Sequence, residues 1–380
     1  SAEPAKAPPP PLTAEGPAIV SGLLRFRLTC WRDKHWPKDR DFHGLEQRMV
    51  NEGQESPEGD SARNRVEKIC LIANPQAAGG RVGKRLDELR GLIDQAFENW
   101  ELRLTEGPGH ATALASAAVG EGFDLVAAVG GDGTCHEVVN GLISSDAQDV
   151  TNPIFAVVPF GTGSDLVRSL ETPTDTAQAL AIASTGVTMS TDVGVAQYNT
   201  PDGSTAQRYF INVCGFGANG DVANRVNLGS KRVGGSVPYV KATLRTLADY
   251  SAQRVRLTWK GPEGDGAWEG NLLSAFAANG FYCGGGMLVG KGASMQDGMF
   301  ALTVIEDDNI LRLLLNLPRL FTGTIHKASS AFRVTASHVR AEALEDGPPI
   351  LVELDGEVDA ALPLELRILP EALRVRGGWR

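Results

Sequence analysis

Twice within residues 66–186 an apolar run of strand character ends in a glycine turn and passes into a helix-forming stretch. FDLVAAV leads into Gly130-Gly131-Asp132-Gly133-Thr134, and PIFAVV leads into Pro159-Phe160-Gly161-Thr162-Gly163-Ser164-Asp165. No other feature constrains the fold as tightly. Short apolar runs closed by turns suit strands covered on both faces, and the stretches between them place apolar residues at helical spacing, as in Leu86, Leu89, Leu92, Ile93 and Phe97. KICLIANP and WELRLTE supply two more strands; HATALASAAVGEG and a stretch from about Cys135 to Ile143 supply helices. Strands alternating with helices predict a parallel sheet with helices on both faces.

After Val187 the pattern changes to short alternating or β-branched runs, among them RYFINVCGF, RVRLTWKG, GMFALTVIE and ILVELDGE, interrupted by helices around 239–250 and 310–321. Turns at such intervals predict an antiparallel sandwich. The expected fold is therefore α/β: a Rossmann-like parallel-sheet nucleotide domain over 66–186, then a mostly antiparallel β-sandwich over 187–380, with the active site in the cleft between them. Residues 1–65 read as a disordered or accessory extension, rich in Pro and Ala at its start and polar over 51–65.

Composition removes several classes. The net charge of −10 argues against nucleic acid as a partner. The five cysteines stand singly, without a CxxC pair, which argues against a disulfide framework or zinc site and fits a reducing compartment. No apolar run reaches the length of a transmembrane segment, and the N-terminal stretch lacks the charged and apolar regions of a secretory signal. A cytoplasmic protein is expected.

A glycine turn at the carboxyl end of a parallel strand can aim backbone N–H groups at a phosphate. Alone, GGDGT reads more simply as a strand-to-helix connection. Two such turns, each with Thr and Asp, would lie side by side at the ligand-binding rim of the sheet, which turn chemistry does not explain. Asp132 within the first would repel bare phosphate, suggesting a magnesium-bridged nucleotide or a polar contact to substrate. Two other stretches are decoys. The run from Gly79 to Arg85 resembles a Walker loop but has Arg85 where Ser or Thr would bind magnesium. Gly215-Phe216-Gly217-Ala218-Asn219-Gly220 matches GxGxxG, yet it follows the alternating region and no acid stands about 20 residues on.

Asn74-Pro75 with Gly79-Gly80-Arg81, Thr105 with Gly109-His110-Ala111, GGDGT with Glu137 and Asn140-Gly141, and PFGTGSD stand in an order that resembles the diacylglycerol kinase catalytic domain. Sphingosine and ceramide kinases share that group. The resemblance continues through Gly215-Phe216-Gly217, Asp297-Gly298 and Asp355-Gly356-Glu357, covering roughly residues 66–378. It implies a kinase that uses ATP and Mg2+ to phosphorylate a lipid hydroxyl, with diacylglycerol converted to phosphatidic acid. A ceramide or sphingoid-base kinase is the nearest alternative, a soluble NAD kinase-like enzyme with its own GGDGT turn the next, and a non-catalytic lipid-binding descendant the last. The matched positions assign Asn74, Thr105, Gly130, Gly131, Asp132, Gly133, Thr134, Glu137, Gly161 and Thr162 to ATP. They assign Asp355 and Glu357 to the pair that supplies the base, with Asp132 a rival, and Asp297, with Ser294 and Met299 beside it, to magnesium. Ser164 departs from the usual Asn of GTGND, so tuned binding is expected there. The implied partner is a lipid at the membrane surface, visited peripherally; a homodimer is left open.

From the residues themselves, Asp355-Gly356 reads as the tip of a hairpin between apolar strands, a commonplace feature. It joins the active site only where it faces the glycine turns. His136 reads as a surface or phosphate-adjacent residue, His326 as structural, and ILRLLLNLPRLF as a core helix, with a membrane-contacting rim as its alternative.

Overall fold

The computed structural model describes residues 66–143, 153–160, 165–200, 204–228 and 237–379. The extension read over 1–65 lies outside them, as do Gly161, Thr162 and Ser164. The first lobe runs β1 (Ile69–Ala73), α1 (Ala77–Lys84), α2 (Leu86–Ala96), β2 (Trp100–Leu104), α3 (His110–Gly120), β3 (Leu125–Val129), α4 (Asp132–Ile143), β4 (Ile154–Val158), α5 (Asp165–Ser169) and α6 (Thr176–Thr185). Its strands pair in parallel in the order β2-β1-β3-β4. Successive residues of β3 face opposite ways. Leu125, Ala127 and Val129 meet Leu89, Ile93 and Leu180, while Val126 and Ala128 meet Ala115, Val138 and Leu142. Covering on both faces is why these strands read as unbroken apolar runs.

The pairing registers bring the strand ends level. Thr105 donates its N–H to Ala73 (2.9 Å), Asn74 to Val129 (3.4 Å) and Gly130 to Val158 (3.2 Å), so these residues share one rim. Three local expectations change. The Walker-like stretch falls in α1 up to Lys84, and its Gly80 and Gly83 N–H groups donate to the Gln76 and Pro75 carbonyls rather than to an outside phosphate. The helix expected through 83–97 breaks at Arg85, whose guanidinium pairs with Glu88 and lies 4.7 Å from the Phe160 ring centre. And α4 begins at Asp132 rather than near Cys135, so Asp132, Gly133 and Thr134 form its first turn, where an acid is favoured by the helix dipole.

The second lobe contains β5 (Val187–Asn199), β6 (Thr205–Phe210), β7 (Val213–Gly217), α7 (Ala218–Leu228), α8 (Val237–Asp249), β8 (Gln253–Lys260), β9 (Gly266–Ala278), β10 (Phe300–Glu306), α9 (Ile310–Thr322), β11 (Ala331–Ala336), β12 (His338–Ala343), β13 (Leu351–Leu354), β14 (Glu357–Ala361) and β15 (Leu364–Gly377). Antiparallel pairing encloses a core that includes Phe210, Phe216, Leu257, Phe300 and Leu366. Outside it, α9 packs Leu313 and Leu320 against Phe276 and Met287. The expectation that α9 is a core helix holds for these two leucines alone among its buried residues; its other apolar side chains stay exposed or half-buried.

The lobes are not separate in sequence. β15 runs antiparallel to β5 along most of its length, and its end pairs in parallel with β4, Val375 opposite Phe155 and Arg376 opposite Ala156. Residues 375–376, expected in the β-rich lobe, thus extend the first lobe's sheet. The β5–β15 register shifts between Leu369 and Leu373, and buried Asp192 takes up the N–H of Glu371 there (2.8 Å). Among the described residues no helix is long and apolar enough to cross a membrane.

Candidate active site

Asp132 links the first glycine turn to the start of α5. Its Oδ2 accepts the N–H of Asp165 (3.1 Å) and its Oδ1 that of Leu166 (3.1 Å), so the first residue of α4 holds the start of α5. Asp165 in turn reaches the other lobe: Oδ2 accepts the Gly285 N–H (2.7 Å) and Oδ1 pairs with Arg168 (2.8 Å). Burial pushes the Asp165 carboxyl above the usual range, opposed by the Gly285 N–H. Glu137 works from the same helix. Its two oxygens accept the N–H groups of Gly109 (2.9 Å) and Ala111 (3.0 Å), fixing the start of α3 beside the rim. The Asn74 side chain accepts the Gln76 N–H (2.9 Å) and shapes the turn after β1.

The DG hairpin faces this rim. Asp355 and Gly356 have φ of +52° and +92°, the paired left-handed conformations of a two-residue turn that Asp and Gly tolerate. Beyond it, Glu357 lies against the glycine turn: a Cβ on Gly133 would stand 2.4 Å from Glu357 Oε1. Only glycine at 133 leaves that carboxylate its place. Asp355 points inward instead. Oδ1 accepts the N–H groups of Asn212 (2.9 Å) and Val213 (3.0 Å), and Oδ2 that of Ile211 (3.0 Å), with His136 Nδ1 at 3.4 Å. Three peptide donors tie the hairpin tip to residues 211–213. His136, read from sequence as a surface or phosphate-adjacent residue, is buried between Asp355 and Asn140 because α4 packs that face inward.

Between rim and hairpin lies an acidic cavity of about 40 Å³, lined by Asp132, Asp165, Glu353, Asp355, Asn212 and Asn219, among others. Glu353 is 5% exposed, and its Oε2 accepts the Gly356 N–H (2.7 Å). Burial pushes its carboxyl up to about 8; the Gly356 N–H pulls the other way, and the Asp355 charge adds to the rise. A Cβ on Gly215 would collide with Asn219 Nδ2 and Glu353 Oε1, so that glycine makes room for both side chains. The Asn219 amide lies beside Glu353 and helps hold its charged form, yet neither amide atom makes a hydrogen bond of normal geometry.

Asn219, Val222, Phe276 and Met287 also line a second cavity, of about 70 Å³, whose other walls include Leu247, Leu273, Leu313, Leu317 and Leu320. The two spaces share a wall, one side carboxylate-rich and the other apolar.

The residues expected at magnesium fall elsewhere. None of Asp297, Ser294 and Met299 lines the acidic cavity. Asp297 Oδ1 accepts the Met299 N–H (3.0 Å), Ser294 Oγ accepts the Gln296 N–H (3.2 Å), and the adjoining Gly298 N–H goes to Asp192 (2.7 Å). Burial raises the Asp297 carboxyl and pushes Asp192 up to about 6. Asp297 and Ser294 offer hard oxygens of the kind Mg2+ takes, each here accepting a backbone N–H. No group of three or more His, Cys, Asp or Glu suited to a metal occurs among the described residues.

Asn212, Asn219 and Glu353 escape the sequence reading. Glu353 is a lone acid inside the apolar run ILVEL, and that break in the pattern was its trace. Asn219 sits in the GxGxxG decoy, whose glycines serve close packing: a Cβ on Gly220 would stand 2.4 Å from the Leu351 carbonyl oxygen.

Residues 68–196 match the profile of the diacylglycerol kinase catalytic domain, and residues 212–377 that of the YegS C-terminal NAD kinase beta sandwich-like domain. The chain is 28% identical over 321 residues to a diacylglycerol kinase of Mycobacterium tuberculosis, covering 83% of this chain and 97% of that one. It is 27% identical over 301 residues to a diacylglycerol kinase of Bacillus subtilis, covering 79% and 93%. The crystal structure of a diacylglycerol kinase from Bacillus anthracis superposes with a TM-score of 0.60 at 21% identity, covering 83% of this chain and 98% of that one, and so shares the fold. Both lobes match, in order and over nearly the full length of these relatives, so the chain carries a diacylglycerol kinase catalytic domain followed by a YegS C-terminal NAD kinase beta sandwich-like domain.

Proposed function

We propose that the protein transfers the γ-phosphoryl group of ATP to a lipid hydroxyl, with diacylglycerol as acceptor and phosphatidic acid as product. The observation that carries this reading is the shared wall between the acidic and apolar cavities, with Asn219, Val222, Phe276 and Met287 common to both. A molecule with a polar head and apolar chains has a group for each side of that wall; a soluble dinucleotide has nothing to place in the apolar part.

The triphosphate would lie over the rim formed by Asn74, Thr105 and the Gly130–Thr134 turn, where strand ends and the start of α4 present backbone N–H groups. Bound Mg2+ supplies charge neutralisation on the triphosphate, and Asp297 with oxygens of Ser294 and Met299 would hold a second, bracing ion. Glu357, against Gly133, is the base: the acceptor oxygen forms its bond to the γ-phosphorus, ADP leaves, and the hydroxyl proton passes to the Glu357 carboxylate. Asp355 and Asp132 position, one holding the hairpin and the other the start of α5. Glu353, protonated at neutral pH, lowers the negative charge that a nucleotide meets in the cavity. The lipid comes from a membrane that the protein visits peripherally, from the cytoplasmic side.

Transfer from radiolabelled ATP, with magnesium, to diacylglycerol, monoacylglycerol, ceramide, sphingosine and NAD tests this directly. Label in phosphatidic acid is expected. Label in NAD alone, or in none of them, would overturn the proposal.

A further inference from the structure

Of the eight large apolar side chains exposed among the described residues, five belong to α9: Ile310, Leu311, Leu314, Leu315 and Phe321. Leu311 and Leu315 are 64% and 73% exposed. With about 3.6 residues per turn, these five share one sector of the helix. Leu313, Asn316, Leu317 and Leu320 share another, which lines the apolar cavity. Arg312 and Arg319, seven residues apart, form a stripe beside the exposed apolar sector, and no Asp or Glu occurs in the helix. Arg312 keeps 69% of its side chain exposed despite Asp308 at 3.5 Å.

We infer that the outer face of α9 docks on the surface of an anionic phospholipid bilayer. The apolar sector enters the boundary between headgroups and acyl chains, and the arginines extend to lipid phosphates. Two observations favour a bilayer over a protein. A helix carrying two positive charges and no negative one is matched to an anionic surface, whereas a second copy docked symmetrically through the same helix would set arginine against arginine. The inner face of the same helix also walls the cavity proposed for acyl chains, so docking there places the cavity at the lipid surface. The inference rests on the lipid-kinase reading for its purpose, but vesicle binding is measured without turnover.

The test is sedimentation of the full chain with phosphatidylcholine vesicles, with and without phosphatidylglycerol. The wild type should bind the mixed vesicles better than the neutral ones, and less well as salt rises. Leu311→Glu combined with Leu315→Glu should weaken binding roughly tenfold or more, and keep turnover on detergent-dispersed lipid, since neither residue lines a cavity. Arg312→Gln with Arg319→Gln should remove the preference for anionic vesicles. Unchanged vesicle binding by the leucine variant, or no binding by the wild type, would overturn the inference. So would a wild-type dimer, seen by light scattering, that the leucine variant loses. Absence of turnover by the wild type in detergent would instead count against the kinase reading and leave the docking result standing.

Discussion

Glu353 is a carboxyl group inside an apolar strand, and its replacement by glutamine separates its charge from its shape. Burial holds its folded pKa at about 8, against an ordinary value of 4.5. Between those values the folded protein keeps a proton that the unfolded chain has released, so raising the pH favours unfolding. The stabilisation is full below 4.5 and is lost as pH rises through about 8. Inside that window the slope is about 1.4 kcal/mol per pH unit, or roughly 2–3 kcal/mol between pH 6 and pH 8. Glutamine resembles the protonated acid in shape and keeps an oxygen for the Gly356 N–H, so Glu353→Gln should match the wild type at pH 6 to within about 1 kcal/mol. Urea unfolding of both proteins from pH 6 to pH 8 gives the comparison. Asp192 also titrates high, but it is common to both proteins and cancels in the difference, whereas Asp165, whose charge acts on Glu353, does not cancel fully. The wild type should lose roughly 2–3 kcal/mol more than the variant. Parallel curves would refute the protonated Glu353, and with it the reduced charge of the cavity.

The remaining expectations concern turnover. Gly133→Ala should displace the flexible end of Glu357 at little cost in stability, lowering kcat about tenfold or more while the KM for ATP changes little; a rise in that KM alone would make Gly133 a nucleotide contact only. Glu357→Gln should reduce kcat far more than ATP affinity, and equal losses in both would count against its role as base. Asp132→Ala should abolish turnover and cost about 1 kcal/mol of stability through the lost contacts to α5, measured by chemical unfolding; a fully active variant would remove Asp132 from the site. Leu247→Trp should fill the apolar cavity, raising the KM for lipid with that for ATP unchanged; equal effects on both substrates would place the acyl chains elsewhere.

The site is an arrangement of carboxylates held by backbone donors. Asp132 holds the start of one helix, Glu137 another, and Asp355 a three-residue segment of the opposite lobe. Such groups fix geometry because each oxygen would lose its donor if the segment moved. Glu357 differs: its carboxylate stands against Gly133.

What the chain announces locally is what short-range physics controls. Apolar runs covered on both faces, the two glycine turns and the Asp355-Gly356 tip are legible because strand burial and turn conformation depend on neighbouring residues. The family motifs carried the reading further, to Asp132 and Glu357. Tertiary structure alone decided the rest. That the hairpin tip meets Gly133, that Glu353 is buried beside Asp355, and that β15 returns to the first sheet all depend on residues far apart in sequence. The same holds for α9, whose leucines look alike in sequence although Leu313 is buried and Leu315 is not. Apolar periodicity says which residues share a face; only the packed chain determines whether that face meets a core, a cavity or solvent.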